Sequence, residues 1–172
     1  GLIGLLAVQI LIANGCKVIG IDLDEKKCEL CEQYGGESIN PNKTNLQDAI
    51  NSLTEKNGAD SVLITASTKS NEVIDSSAEI LRKRGKIVLI GVVGLELNRQ
   101  VFYEKEISFQ VACSYGPGRY DSSYEEKAID YPYPYIRWTE QRNFMAVLAL
   151  MESKSIDVTD LISDSFNIED AA

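Results

Sequence analysis

The chain has 172 residues, 44% of them hydrophobic, and a formal net charge of −9 at neutral pH, which is typical of one globular domain. This negative charge argues against a nucleic-acid partner, because binding to a phosphate backbone requires clustered Lys and Arg side chains. We recognise neither a secretory leader nor the roughly 20 apolar residues of a membrane-spanning helix, so we expect a cytoplasmic domain.

Predicted helices and strands alternate along the chain, separated by short turns rich in Gly, Asn and Asp. The first predicted elements are helix 2–14, strand 17–22, helix 25–34, strand 37–39 and helix 46–56. The next are strand 61–66, helix 71–84, strand 86–91, strand 108–114, an irregular segment 115–138, helix 140–151 and a short strand near Leu161. This alternation predicts an α/β fold, a Rossmann-like three-layer αβα sandwich with a doubly wound parallel sheet.

A glycine pair opens the first predicted helix and is the first feature that points to chemistry. Gly1-Leu-Ile-Gly4 leads directly into this apolar helix, and Asp22 ends the following strand, eighteen residues after Gly4. In a dinucleotide fingerprint, the glycines let the backbone and the helix approach closely, and the helix N-terminus binds the pyrophosphate. The acidic residue accepts hydrogen bonds from the ribose hydroxyls. A carboxylate there repels a 2′-phosphate, so we expect NAD to be preferred over NADP.

The first strand of that fingerprint normally precedes the glycines and lies at the centre of the sheet. The chain begins at Gly1, so we expect residues 1–172 to be a single truncated dinucleotide-binding domain that lacks this strand and a catalytic domain. A different segment would then have to take the central place in the sheet.

The cysteines do not indicate a metal site or a disulfide framework. Only four are present, they are scattered, and the chain has no histidine. Cys28 and Cys31 form a C-x-x-C pair in a predicted helix without a second pair of ligands, whereas structural zinc usually has four Cys or His ligands. We interpret them as reduced thiols on a helix face and expect this part of the protein to bind no zinc.

Several motifs together resemble the cofactor domain of medium-chain dehydrogenases/reductases, the superfamily of zinc-type alcohol dehydrogenases. They are Gly1-Leu-Ile-Gly4, Asp22, Gly58-Ala-Asp-Ser-Val62, Arg84-Gly-Lys-Ile-Val-Leu-Ile-Gly91 and the final segment 161–172. The run Ser114-Tyr-Gly-Pro-Gly-Arg-Tyr-Asp121 is similar to bacterial oxidoreductases in which such a domain is fused to a glucose-fructose-oxidoreductase-like module.

This resemblance implies a cofactor site at the carboxyl ends of the strands, where such folds bind ligands. The N–H groups of Leu2 and Ile3, between Gly1 and Gly4, would hold the pyrophosphate, and Asp22 and Lys27 would hold the adenosine ribose. Thr65 and Thr68 would line the adenine and ribose side, while Ile90, Gly91, Val92, Ala112 and Ser114 would approach the nicotinamide. No catalytic residue and no metal ligand can be carried over to this chain.

By resemblance, the longer protein would transfer a hydride to or from a sugar or a nucleotide-linked alcohol. The substrate would reach the cofactor through another domain. The resemblance also allows a homodimer through the sheet edge, although the sequence does not fix the oligomeric state. Two alternatives stay open: a non-catalytic nucleotide-binding or structural module of the same fold, and a methyltransferase, whose sheet also places an acidic residue at the second strand end.

Aromatic residues are concentrated in the irregular segment, where 115–138 holds six of the eight tyrosines and the only tryptophan. They would form either a surface for a sugar or a partner module, or an anchor that holds a long loop to the domain. We favour the anchor, because a loop of this length needs fixed points.

Overall fold

The structure, a computed structural model, describes residues 1–170. Its helices and strands alternate as the sequence predicts. In chain order they are α1 (Leu2–Ala13), β1 (Ile19–Ile21), α2 (Glu25–Gln33), β2 (Glu37–Ile39), α3 (Leu46–Leu53), β3 (Ala59–Ile64), α4 (Glu72–Ile80), β4 (Leu81–Leu89), α5 (Arg99–Lys105), β5 (Ser108–Val111), α6 (Ser122–Glu125) and α7 (Glu140–Glu152). Short 3₁₀ helices follow at Thr159–Leu161 and Ile168–Asp170.

All strands pair in parallel, but they form two sheets instead of one. β1 pairs with β2, and β4 lies between β3 and β5. Among the described residues, β1 and β3 therefore each have one edge without a ladder partner. The fold is the predicted Rossmann-like α/β class, with β1 and β2 in one sheet and β3, β4 and β5 in the other.

Three apolar clusters connect the strands to the helices. The largest packs α4 and α5 on the three-stranded sheet around Ile74 and Ile87. A second joins α1 to α2 through Leu5, Val8 and Cys31. The third spans both sheets, because Ile19 of β1 and Val62 of β3 pack on its buried residues. The two sheets thus share a core although they share no hydrogen-bond ladder.

Helix α2 packs on β1 where a glycine makes room for a thiol. A Cβ atom on Gly20 would lie 2.5 Å from Sγ of Cys31, closer than any real side chain allows. The helix ends as predicted at the glycine pair, since Gly35 adopts a φ of 87° that glycine tolerates best. This close packing of α2 on β1 fixes the direction of the strand and therefore the position of Asp22, which follows it.

The predicted helix 71–84 is too long at its C-terminal end. Helix α4 ends at Ile80 and β4 begins at Leu81. The Nζ of Lys105 donates hydrogen bonds to the carbonyl oxygens of Ala78 (3.0 Å), Glu79 and Leu81 (2.8 Å). This ammonium satisfies carbonyl groups that have no partner inside the helix, so the chain can leave the helix without a glycine cap.

Two further differences concern short elements. Helix α5 was not predicted, because its seven residues are too few to show a clear helical period of apolar residues. It packs on the largest apolar cluster through Val101 and Phe102. The strand predicted near Leu161 is wrong: this residue ends a 3₁₀ helix and packs on the α1 and α2 cluster. Both segments take their conformation from contacts with distant residues.

A buried glutamine joins the C-terminal segment to the first helix. The Nε2 of Gln9 donates to the carbonyl of Asp157 at 2.8 Å, and the N–H of Asp157 donates to Oε1 of Gln9 at 2.7 Å. Gln9 is 6% exposed, and the neighbouring Ile156 is buried. The Gln9 side chain thus bonds to both the N–H and the carbonyl of Asp157, as a neighbouring strand would, and holds the segment after α7 against α1.

Candidate functional site

The opening turn of α1 and the end of β1 lie next to each other. The amino group of Gly1 lies 3.3 Å from Oδ2 of Asp22. Leu2 and Ile3 are 58% and 56% exposed, and no side chain caps the helix. The first N–H groups of a helix have no partner within it, so this turn can bind an anion beside the Asp22 carboxylate.

The surroundings of Asp22 keep it ionised. Partial burial acts to raise its pKa, but the N–H of Asp24, the amino group of Gly1 and the charge of Lys27 together hold the pKa below the ordinary value. The Asp24 N–H donates to Oδ1 of Asp22 at 3.0 Å. The carboxylate therefore carries a full negative charge at neutral pH and is oriented by its own backbone.

Lys27 lies on the first turns of α2, and its closest acidic partner is Asp24. The distance from its Nζ to Oδ2 of Asp24 is 3.6 Å. Its charge still lowers the pKa of Asp22. Lys27 therefore lies near the predicted ribose position without a direct ion pair to Asp22.

A second close approach brings α1 to the end of β3. A Cβ atom on Gly4 would lie 3.0 Å from Oγ1 of Thr65, whereas one on Gly1 would meet nothing within 4 Å. Gly4 is thus the glycine that lets the helix pack tightly, the task of the later glycine in a dinucleotide fingerprint. The first turn of α1 bridges the ends of the two separate sheets, with Asp22 on one side and Thr65 on the other.

The loops after β3 and β4 continue the parallel pairing beyond the strands. The N–H of Thr68 donates to the carbonyl of Val92 at 2.8 Å, and the N–H of Val92 donates to the carbonyl of Ala66 at 3.0 Å. A Cβ atom on Gly91 would lie 2.0 Å from the Ala66 oxygen, so only glycine fits there. The paired loops form one wall, from which the side chain of Val92 is 71% exposed and that of Ile90 is also exposed.

The end of β5 joins this wall. The N–H of Ala112 donates to the carbonyl of Leu89 at 2.8 Å, and Ser114 adopts a left-handed φ of 44°. A shallow cavity of about 420 Å³ follows, lined by residues 110–117 together with Trp138 and Asn143. The predicted nicotinamide-side residues therefore lie side by side at the ends of β4 and β5.

The aromatic segment contains both rings that pack on each other and exposed rings. The rings of Tyr124 and Tyr131 stack with centroids 5.8 Å apart, and Tyr115 lies beside Tyr124. Tyr115 and Tyr131 donate hydrogen bonds to Glu125 and Asp121 respectively. The exposed aromatic side chains of the segment are Tyr120, Tyr133, Tyr135 and Trp138. Three tyrosines therefore pack and hydrogen-bond within the segment itself, and the anchor to the rest of the domain stays a prediction.

The two cysteines of the C-x-x-C pair are buried thiols. The Sγ atoms of Cys28 and Cys31 donate to the carbonyls of Asp22 and Glu37, and burial raises the pKa of Cys31. Within residues 1–170, no three His, Cys, Asp or Glu side chains come close enough together to hold a metal ion. No helix in the same range is long and apolar enough to cross a membrane.

The structure therefore arranges the predicted positions as a continuous row. Asp22 contacts the first turn of α1, that turn contacts Thr65, and the loop that holds Thr68 pairs with Val92. One residue of this region was not predicted: Asn71, whose side chain joins the two loops. Its only sequence signal is its position before a helix, which indicates an ordinary cap.

Comparison with known proteins identifies the family. The family model for zinc-binding dehydrogenases matches residues 3–130. The D-guloside 3-dehydrogenase of Escherichia coli (strain K12) is 28% identical over 170 residues, which are 94% of this chain and 44% of that protein. An NAD-dependent alcohol dehydrogenase of Saccharolobus solfataricus is 31% identical over 100 residues, 57% of this chain and 28% of that protein.

Solved structures share the fold. The 2R,3R-butanediol dehydrogenase from Bacillus subtilis superposes with a TM-score of 0.70 at 21% identity, over 94% of this chain and 40% of that one. The chain thus spans less than half the length of the curated relatives it matches over most of its own length. It belongs to the zinc-binding dehydrogenase family, within the medium-chain dehydrogenases/reductases, and corresponds to the part of these oxidoreductases that binds a nicotinamide dinucleotide.

Proposed function

We propose that this chain binds NAD(H) as the cofactor half of an alcohol-dehydrogenase-like oxidoreductase. The observation that carries the proposal is the position of the ionised Asp22 carboxylate beside the open first turn of α1. The N–H groups of Leu2 and Ile3 would bind the pyrophosphate, and Asp22 would accept hydrogen bonds from the adenosine ribose hydroxyls.

A preference for NAD over NADP follows from charge. A 2′-phosphate would lie against the Asp22 carboxylate, and like charges at close range repel. Lys27, whose charge acts on the Asp22 carboxylate, would hold the adenosine ribose together with Asp22. Thr65 and Thr68 would line the adenosine side, at the loop that faces Asp22 across the first turn of α1.

At the other end of the cofactor, Ile90, Gly91, Val92, Ala112 and Ser114 would support the nicotinamide. The nicotinamide supplies the hydride chemistry when the cofactor is bound. The chain's own residues orient the ring and cover one of its faces with the apolar side chains of Ile90 and Val92, which are exposed in this structure. The substrate would approach from the side that these residues leave open.

We further propose that residues 1–172 form one cofactor domain that works together with a separate catalytic domain. The length of the relatives supports this, since the chain spans 44% of the D-guloside 3-dehydrogenase. The unpaired edges of β1 and β3 would accept a parallel strand from another part of the protein. A fused glucose-fructose-oxidoreductase-like module and a dimer through the sheet edge remain predictions.

The proposed substrate is a sugar or a nucleotide-linked alcohol or carbonyl. The name of the Escherichia coli relative, a dehydrogenase of a sugar glycoside, supports the sugar. A non-catalytic nucleotide-binding module is the alternative. Oxidation of a sugar by the whole protein with reduction of NAD would decide between them.

Titration of the chain with NADH, NADPH and S-adenosylmethionine, followed by calorimetry, tests the proposal. We expect NADH to have the lowest dissociation constant of the three ligands. Asp22→Asn should reduce the ratio of the dissociation constants of NADPH and NADH by about tenfold, because the repulsion between the carboxylate and the 2′-phosphate is lost. Asp48→Asn is the matched control, since Asp48 is an exposed residue of α3 that pairs with neither Gly1 nor Lys27. An unchanged ratio of the NADPH and NADH dissociation constants in Asp22→Asn would place Asp22 away from the ribose. Tighter binding of S-adenosylmethionine than of NADH would contradict the assignment as an oxidoreductase.

A further inference from the structure

Asn71 occupies the N-cap position of α4 but does not cap it. The Asp or Asn side chains at the starts of α2, α3, α5 and α6 all accept a hydrogen bond from their own helix, as is usual for these residues. The Oδ1 of Asn71 instead accepts from the N–H of Glu96 at 3.1 Å, and its Nδ2 donates to Oε2 of Glu96 at 3.3 Å. A local interaction worth about 1 kcal/mol is thus replaced by a contact across two loops.

The surrounding residues are arranged for this contact. The Oγ of Ser70 accepts from the N–H of Glu72 at 3.1 Å, which satisfies a donor of the first turn in place of Asn71. The N–H of Gly94 donates to the carbonyl of Ser70 at 3.1 Å. A Cβ atom on Gly94 would lie 2.1 Å from Oδ1 of Asn71. The Asn71 side chain therefore fits against a glycine backbone with no room for any other residue.

The contact lies at the far end of the wall formed by the loops after β3 and β4. Nearer the strands, Val92 uses both its N–H and its carbonyl to pair with Ala66 and Thr68, so its exposed side chain is the part left to contact a bound molecule. Glu96 lies four residues later. With Val92 held at one end and Glu96 at the other, the loop 92–96 has little freedom to move away from the site.

We infer that Asn71 is a positioning residue for the nicotinamide end of the cofactor. It acts through the loop 92–96 and holds the Val92 side chain beside the proposed position of the nicotinamide ring. Asn71 itself would not contact the cofactor. This inference rests on the proposed function. It predicts that loss of the Asn71 contact weakens binding of the nicotinamide portion alone, and leaves the adenosine and pyrophosphate positions at Asp22 and α1 intact.

Comparison of NADH with ADP-ribose separates the two ends, because ADP-ribose lacks only the nicotinamide. We expect Asn71→Ala to raise the Kd for NADH about three- to tenfold, the effect of one or two lost hydrogen bonds, and to change the Kd for ADP-ribose less than about twofold. Gly94→Ala should give the same pattern, since its methyl group displaces the Asn71 amide. The fluorescence of bound NADH should shift toward that of the free molecule in both variants.

Asn45→Ala is the control, because Asn45 caps α3 in the ordinary way, with its Oδ1 accepting from the N–H of Asp48. It should lower thermal stability without changing the ratio of the two dissociation constants. Equal weakening of NADH and ADP-ribose in Asn71→Ala, or no change in either, would overturn the inference. If the unaltered chain binds neither ligand, the proposed function fails, and the inference fails with it.

Discussion

Single side chains determine where some helices end, because they form hydrogen bonds with backbone groups that are distant in sequence. Lys105 is the clearest case. Its ammonium lies against the carbonyls of Ala78, Glu79 and Leu81. Burial lowers its pKa, and Glu79 partly offsets this. A positive charge at the C-terminus of α4 also interacts favourably with the helix dipole. The end of one helix is therefore held by a residue from the end of another.

Lys105→Met should lower the free energy of unfolding by about 1–3 kcal/mol, because it leaves carbonyl groups without partners while keeping an apolar side chain of similar length. Urea unfolding followed by circular dichroism measures this loss. Lys26→Met, on the exposed side of α2, is the matched control and should change stability by less than about 0.5 kcal/mol. Equal stabilities of the two variants would show that the ammonium has no capping role.

At the scale of elements, the aromatic segment is held by a network of rings and charges. Arg142 of α7 donates to the carbonyl of Tyr131 at 2.6 Å and pairs with Asp130 at 2.6 Å. Arg119 contacts Glu125 at 2.7 Å, and Tyr115 donates to the same carboxylate. These contacts depend on ionised carboxylates and protonated tyrosines. The order of the segment should therefore depend on pH.

The hydrogen bonds raise the pKa of Tyr115 and Tyr131 and lower the pKa of Glu125 and Asp121. A raised tyrosine pKa adds stability that is present below about pH 10 and is lost as pH rises through the folded pKa. A lowered carboxyl pKa adds stability that is present above about pH 4.5 and is lost as pH falls. The segment should be most ordered between these limits.

Ultraviolet titration of the tyrosines tests this directly. In the wild type, part of the absorbance change should occur above the ordinary tyrosine pKa, and Glu125→Gln together with Asp121→Asn should move that part to lower pH, because the raising partners are neutralised. Glu126→Gln is the control, since Glu126 makes no contact with the two tyrosines among the described hydrogen bonds. A titration curve unaffected by the double variant would contradict the network.

Elements could be predicted where local pattern determines them. Helix α2 stops before Gly35, as expected, and the run of branched apolar residues in β4 was expected as a strand, although β4 begins at Leu81, five residues before the predicted start. The end of α4 and the existence of α5 depend on Lys105 and on core contacts, which no local window contains. For the site, the spacing of Gly4 and Asp22 carries a local signal, whereas the partner of Asn71 lies 25 residues away.

At the scale of the whole molecule, the first helix connects parts that the sheets leave separate. Its opening turn lies between Asp22 and Thr65, and its middle is joined to Asp157 through Gln9. Leu5 and Val8 pack on α2. Because β1 and β3 are not paired to each other, the two sheets are connected mainly through contacts with α1 and through the shared core.

Gln9→Leu should therefore loosen the C-terminal segment more than any other region. It removes both hydrogen bonds between Gln9 and the backbone of Asp157, each in a partly buried contact, at a cost of about 1 kcal/mol per bond. Hydrogen exchange should become faster at Asp157 and along 154–161, with little change in β4. Gln47→Leu, which removes a contact within α3, should leave the segment unaffected. Unchanged exchange in Gln9→Leu would show that Leu161 and Ile156 suffice to hold it.

The Gln9 contact also bears on how the protein is made. Gln9 leaves the ribosome long before its partner, since 148 residues separate the two. During most of synthesis the apolar first helix must therefore remain without the backbone that completes its packing, and contacts of such long range form slowly. Helix α1 therefore completes its packing only after Asp157 has been synthesised, although its contacts with α2 can form much earlier.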